Sequence, residues 1–293
     1  MKIDAALTTT NLDDVAGHAQ RLEALGYDGI FTFEGPHDPF FPLLLASEHT
    51  ERLELTTAVA IAFARSPMTL ANVGYDLQLA SHGRFTLGLG TQIKPHIEKR
   101  FSMPWSSPAA RMRELVLAIR AIWASWHEGT RLDFRGDFYT HTLMTPFFNP
   151  GPNPYGLPRI VLGGVGPRMT EVAGEVADGF LIHPFSTAKF IRETTLPALE
   201  RGLATSGRTG ADFEVAFPLM VVAAETEAER QRGVEGMRSR LAFYGSTPAY
   251  RVVLEAHGWG EVQSELNTLS KRGDWKAMSE MITDEMVDEL CVV

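Results

Sequence analysis

A chain of 293 residues with 44% hydrophobic and 22% charged residues carries enough apolar material for one large soluble core. Its net charge of −9 argues against nucleic acid as the main partner, and Cys291, the only cysteine, excludes an intrachain disulfide and a cysteine metal cluster. No stretch reaches membrane-spanning length, and MKIDAALTTTNLDD lacks the apolar core of a signal peptide, so a cytoplasmic protein without a membrane partner is expected.

Residues 2–8 alternate, with Ile3, Ala5 and Leu7 on one side, and predict a first strand. Asn11 is placed to cap the next helix, whose first turn holds Asp13 and Asp14 and whose apolar stripe runs through Leu12, Val15, Ala16, Ala19 and Leu22. Further strands are expected over 29–33, 53–61 and 84–89, with helices over 43–48 and 67–81 between them. A long helix starts near Pro108, with Leu115, Ile119, Ile122, Trp123 and Trp126 on one face. Residues 129–157 then break the rhythm. LDFRGDFYTH reads as a hairpin turning at Arg135-Gly136-Asp137, and NPGPNPYGLP as a loop. Strand and helix alternation resumes at once, so this segment is an insertion between two βα units. A strand over 159–162, a glycine turn over 163–166, a helix from Pro167 and a strand over 180–182 follow. A helix over 186–205, a long apolar strand over 213–223 and helical patterns interrupted at 245–248 and 258–260 complete the chain.

Seven strands separated by helices predict an α/β fold, a (β/α)8 TIM barrel in a single domain over 1–293, with the insertion (about 129–157) before strand five. An eighth strand is not evident. Residues 290–293 are the only candidate, so either the C-terminal end is incomplete or the barrel closes unusually.

Active groups of such barrels lie at the C-terminal strand ends. His37 and Asp38 form either a proton-handling pair or a plain turn in which Asp38 caps the helix after Pro39. His96, Lys99 and Arg100 share a helix face that either receives an anion or is a solvated charged turn. The glycines at 163–166, before a helix start, form either an anion site or only a tight turn. HExxH and GxSxG are absent, GGVG does not match GxGxxG, and no metal is expected.

The segments GYDGIFTFE, LTTAVAIAFARSPMTLA, GRFTLGLGTQIKPHIEKRF, IVLGGVGPRMTEVAGEVADGFLIHPF and FYGSTPAYRVVLEAHGW, in this order, resemble the luciferase-like flavin and deazaflavin oxidoreductases. The resemblance is to the subgroup that uses coenzyme F420, an 8-hydroxy-5-deazaflavin hydride carrier. It implies a luciferase-like barrel that transfers a hydride between F420 and a small organic substrate, as a homodimer. It also implies a non-prolyl cis peptide at Ala58–Val59 behind the cofactor ring, with Ala60 beside it. The cofactor phosphate would be held by the amides of Val165 and Gly166 next to Gly164, helped by His183. Thr91 and His96 would line the cofactor mouth, Glu34 would lie next to the ring, and His37 or Glu34 would handle the proton, with Asp38 nearby. Phe40, Phe63 and Trp105 are candidates to line an apolar substrate pocket. No arginine follows Gly90, where flavin-using luciferases hold the phosphate with one, and this favours F420 over FMN. The alternatives are an FMN-dependent monooxygenase on the same frame and a non-catalytic flavin- or deazaflavin-binding barrel.

Overall fold

The computed structural model describes residues 1–8 and 11–293, which form two compact units. The first comprises Met1–Gly163, Val172–Phe180 and Asp212–Glu214. Its strands are β1 (Asp4–Ala6), β2 (Gly29–Thr32), β3 (Glu54–Thr57), β4 (Ala60–Ile61) and β5 (Phe85–Gly90). After the insertion hairpin of β6 (Phe134–Arg135) and β7 (Thr140–His141) come β8 (Arg159–Gly164), β9 (Gly179–Ile182) and β10 (Glu214–Ala216). The last two enter the unit by their first residues. The sheet order is β1-β2-β3-β5-β8-β9-β10, with β4 also on β5. The ladders from β1 through β8 are parallel, as expected where helices connect successive strands. The β2–β3 register pairs Thr32 with Thr57, so the chain leaves both strands at the same level and their following loops meet.

Ser66 caps the helix Pro67–Ala80 by accepting the Thr69 N–H at 3.1 Å, and Pro67 occupies its first turn. That helix packs against Pro108–His127 through buried Trp123, whose indole N–H donates to the Ala71 carbonyl at 3.0 Å. The hairpin is antiparallel, as its turn residues predict. Glu114 holds it to the long helix by accepting the N–H groups of Asp137, Phe138 and Tyr139 at 2.8, 2.7 and 2.6 Å.

The second unit comprises Gly164–Glu171, Leu181–Ala211 and Val215–Val293. Its helices surround a core that includes Phe185, Leu241, Leu254, Leu266, Met278 and Met286. The helix expected over 186–205 forms as Ala188–Phe190, a π-helical stretch Ile191–Thr195 and Leu196–Thr205. Pro197 accounts for the irregularity: it has no N–H for the ladder, and its ring would press on the preceding turn.

The long strand expected over 213–223 does not form. Only Glu214–Ala216 is a strand, because Pro218 cannot donate to a ladder. Beyond it, Val222 N–H donates to Val292 O at 2.8 Å and Val292 N–H to Met220 O at 2.9 Å, a single parallel bridge. The segment 290–293 therefore does pair, but as one bridge and not as a full strand. Among the described residues no helix is long and apolar enough to cross a membrane.

Candidate functional site

In the first unit the chain turns sharply where β3 ends. The Ala58–Val59 peptide is cis, at the position the resemblance implies. Ala58 N–H donates to Thr32 O at 2.6 Å and Glu34 N–H to Val59 O at 3.2 Å, so this turn is tied to the end of β2. Ala60 is buried, while Ala58 and Val59 are half-buried. A Cβ on Gly90 would lie 2.5 Å from Val59 Cγ2, so a larger residue there requires the Val59 side chain to shift.

Glu34 does not stand free beside this turn. Its Oε2 accepts from the Ile61 N–H at 2.7 Å and from Arg65 Nη1 at 2.6 Å. Arg65 Nη1 also donates to Ile61 O at 3.1 Å, and Nη2 reaches Asp38 Oδ2 at 3.0 Å. The Glu34 side chain is only 6% exposed, so an ionised carboxylate there needs this counter-charge. The other oxygen of Asp38 accepts from the Phe40 N–H at 2.9 Å beside the start of the helix Phe40–His49, whose N-cap is Pro39. Both acids of the loop are thus structural partners of one arginine, and His37 between them is exposed.

After β5, Thr91 Oγ1 donates to Gln92 O at 2.8 Å, and Gln92 takes a left-handed conformation at φ 59°. His96 lies exposed on the helix Lys94–Lys99. Arg100, placed by its spacing on one helix face with His96 and Lys99, donates to Gly35 O at 2.8 Å and tethers the loop that carries His37. Two of the aromatic pocket candidates are core residues. Phe63 is fully buried between Trp105 and the Arg111 guanidinium, and Phe40 is buried with the Arg65 guanidinium 5.4 Å from its ring centre.

The glycine turn lies in the second unit, from Gly164 onward. Gly166 O accepts the Met169 and Thr170 N–H groups, each at 3.1 Å, and so starts the helix Pro167–Val176. Among the described residues neither the Val165 nor the Gly166 N–H has an acceptor. A Cβ on Gly166 would meet nothing within 4 Å, so the fold itself does not demand glycine there. His183 follows β9, the neighbour of β8. Its Nδ1 accepts the Phe185 N–H at 3.1 Å, which leaves the proton of the neutral ring on Nε2. Burial pushes its pKa down to about 4, so the ring is neutral near pH 7. Tyr250 lies 4.4 Å from the imidazole, ring centre to ring centre, and Tyr244 5.0 Å.

Arg65, Tyr244 and Tyr250 were not singled out by sequence reasoning. Arg65 alone carried a signal, as a lone cation closing the apolar run AVAIAFA after a strand end.

The luciferase-like monooxygenase family model matches residues 1–293. An uncharacterized protein of Mycobacterium tuberculosis is 55% identical over 293 residues, covering 100% of this chain and 86% of the relative. An F420-dependent glucose-6-phosphate dehydrogenase of Beutenbergia cavernae is 30% identical, over 77% of this chain and 68% of the relative. The solved structure of the coenzyme F420 dependent tetrahydromethanopterin reductase of Methanopyrus kandleri superposes with a TM-score of 0.79 at 19% identity, covering 99% of this chain and 85% of that one. That likeness shows the luciferase-like TIM-barrel fold. With a whole-chain family match and the parallel α/β sheet in agreement, the chain belongs to the luciferase-like monooxygenase family.

Proposed function

We propose that the protein is an F420-dependent oxidoreductase that transfers a hydride between the deazaflavin and a small organic substrate. The observation that carries this reading is the turn at Val165 and Gly166, with two unspent amides and open space beside Gly166 where an anionic group fits. Relatives named for F420 favour the deazaflavin over FMN. When bound, F420 supplies the hydride chemistry.

The chain's own residues supply position and a proton. Val165 and Gly166 N–H, with Gly164 giving the backbone room and His183 Nε2 as a neutral donor, hold the phosphate. Ala58, Val59 and Ala60 support the ring, and Thr91 and His96 border the cofactor mouth. His37, exposed and tethered through Gly35 and Asp38, moves the proton through its imidazole. Glu34 and Asp38 hold Arg65 and orient that loop.

Titration of the purified protein with F420 and with FMN tests the cofactor, followed by a panel of alcohols, aldehydes, enones and imines. F420 binding with substrate-dependent reduction or reoxidation is expected. Micromolar FMN binding without F420 binding overturns the reading in favour of a flavin monooxygenase. F420 binding without turnover on any substrate class makes the protein a carrier barrel.

A further inference from the structure

The insertion between the helix Pro108–His127 and β8 carries a stretch that the proposed reaction does not use. From Phe138 to Pro158 it runs for 21 residues without an Asp, Glu, Lys or Arg, the longest such stretch in the chain. Burial pushes its one imidazole, His141, below the ordinary pKa, so that ring is neutral near pH 7. The same stretch bears Phe147 at 88%, Leu143 at 76% and Phe148 at 70% exposure. After Met1 these are the most exposed large hydrophobic side chains among the described residues. The two phenylalanine rings meet edge to face, 5.0 Å between centres. Hydrogen bonds fix the segment to two helices of its own unit. Met144 Sδ accepts the Trp126 indole N–H at 3.3 Å, and Asn149 Nδ2 donates to Ser125 O at 3.4 Å. The Tyr75 hydroxyl donates to Gly151 O at 2.6 Å. The backbone is thus anchored while the apolar side chains stay in water.

We infer that this face is where a second copy of the chain docks, the Phe147–Phe148 pair of one copy against that of the other across a two-fold axis. Charge selects the face. Each copy carries −9, so two copies repel, and they meet at least cost over a surface that holds no charge. The cores of homodimer interfaces are depleted of charge and enriched in aromatic side chains, as this stretch is. Area agrees. The three side chains leave on the order of 400 Å² of apolar surface in water, within the range where patches on monomers mark contacts. With the exposed Thr142, Pro146 and Pro150 around them, the face approaches the roughly 800 Å² per partner of a stable interface. A membrane surface suits it less, because an acidic chain needs Lys or Arg beside its apolar anchors there and the stretch has none. The anchored backbone lowers the ordering cost of docking, and a self-complementary contact closes at two copies. Nothing in this contact depends on the cofactor.

Analytical ultracentrifugation of the full chain across nanomolar to micromolar concentrations tests this, with thermal unfolding to confirm that each variant folds. The wild type is expected to be a dimer at micromolar concentration. Phe147→Glu and Phe148→Glu put a charge into the contact, and each is expected to raise the dimer Kd at least about 100-fold. Phe147→Ser adds no charge and is expected to raise it about 10-fold. Leu219→Glu, an equal change on an exposed side chain of the second unit, should leave it within about 2-fold. A dimer whose Kd is unchanged by the phenylalanine variants would place the contact on another face and overturn the inference. Equal weakening by Leu219→Glu, with Phe147→Ser silent, would overturn it too, because added charge alone would then split the dimer. A monomeric wild type would also overturn it, and co-sedimentation of that monomer with phosphatidylcholine vesicles would assign the patch to lipid.

Discussion

The two groups of candidate residues solve the problem of buried polarity in opposite ways. In the first unit, Glu34, Arg65 and Asp38 are charged and fully engaged with one another. In the second, burial holds the His183 ring neutral near pH 7, with its Nδ1 accepting the Phe185 N–H and the Tyr244 and Tyr250 rings packed against it. A charge taken out of water needs a counter-charge at once, so the ionic set is complete before any ligand arrives and acts on geometry. A neutral ring taken out of water needs no counter-charge, so a backbone partner and ring contacts suffice. The contrast makes one group depend on ion pairs and the other on packing.

The largest effect should come from breaking the ionic set. Arg65→Met leaves two carboxylates without their counter-charge and should cost about 3 kcal/mol in urea unfolding, with Arg65→Lys recovering part of it. A loss under about 1 kcal/mol would mean that water screens the clamp and that the contrast fails. Acid should expose the neutral set. The unfolded His183 imidazole takes its proton near 6.5 and the folded one only near 4, so below pH 6.5 the unfolded state binds more protons. Stability should therefore fall as pH drops through this window, by about 3 kcal/mol once below pH 4, at roughly 1.4 kcal/mol per pH unit. Urea titrations of the wild type and His183→Gln across that window isolate the contribution, and parallel curves would remove His183 as its source.

A smaller loss, about 2 kcal/mol, is expected for Gly90→Ala, because the added methyl overlaps Val59 at the supporting turn. Thermal unfolding at neutral pH measures it. Gly166→Leu should have the smallest effect on stability, within about 0.5 kcal/mol, since the side chain enters open space. The same substitution should raise Kd for F420 at least about 10-fold if the phosphate occupies that space. Matched losses of stability and affinity would reduce the glycines to a tight turn.

Much of the fold was legible in the chain because local signals agreed with the packing. Alternating apolar runs gave the strands, Asn11 lies at a real helix start, the helix from Pro67 forms, and Arg135-Gly136-Asp137 marked the hairpin. The run 213–223 misled because its apolar content outweighed one proline in the reading, whereas the ladder responds to the missing N–H of Pro218. Phe63 misled for a related reason: an aromatic residue after a strand end can face a mouth or the core, and only packing decides which.

The sequence by itself determined the strand–helix alternation, the glycine turn and the segments that carry the family resemblance, since each depends on residues adjacent in the chain, and the resemblance in turn implied the cis position at Ala58–Val59. Only the tertiary structure decided that Glu34 and Asp38 share Arg65 and that Arg100 tethers Gly35. It alone also brought Tyr244 and Tyr250 against His183, some sixty residues away in the chain. Those partners are distant in sequence, and no spacing rule encodes a contact that the packing of separate elements creates.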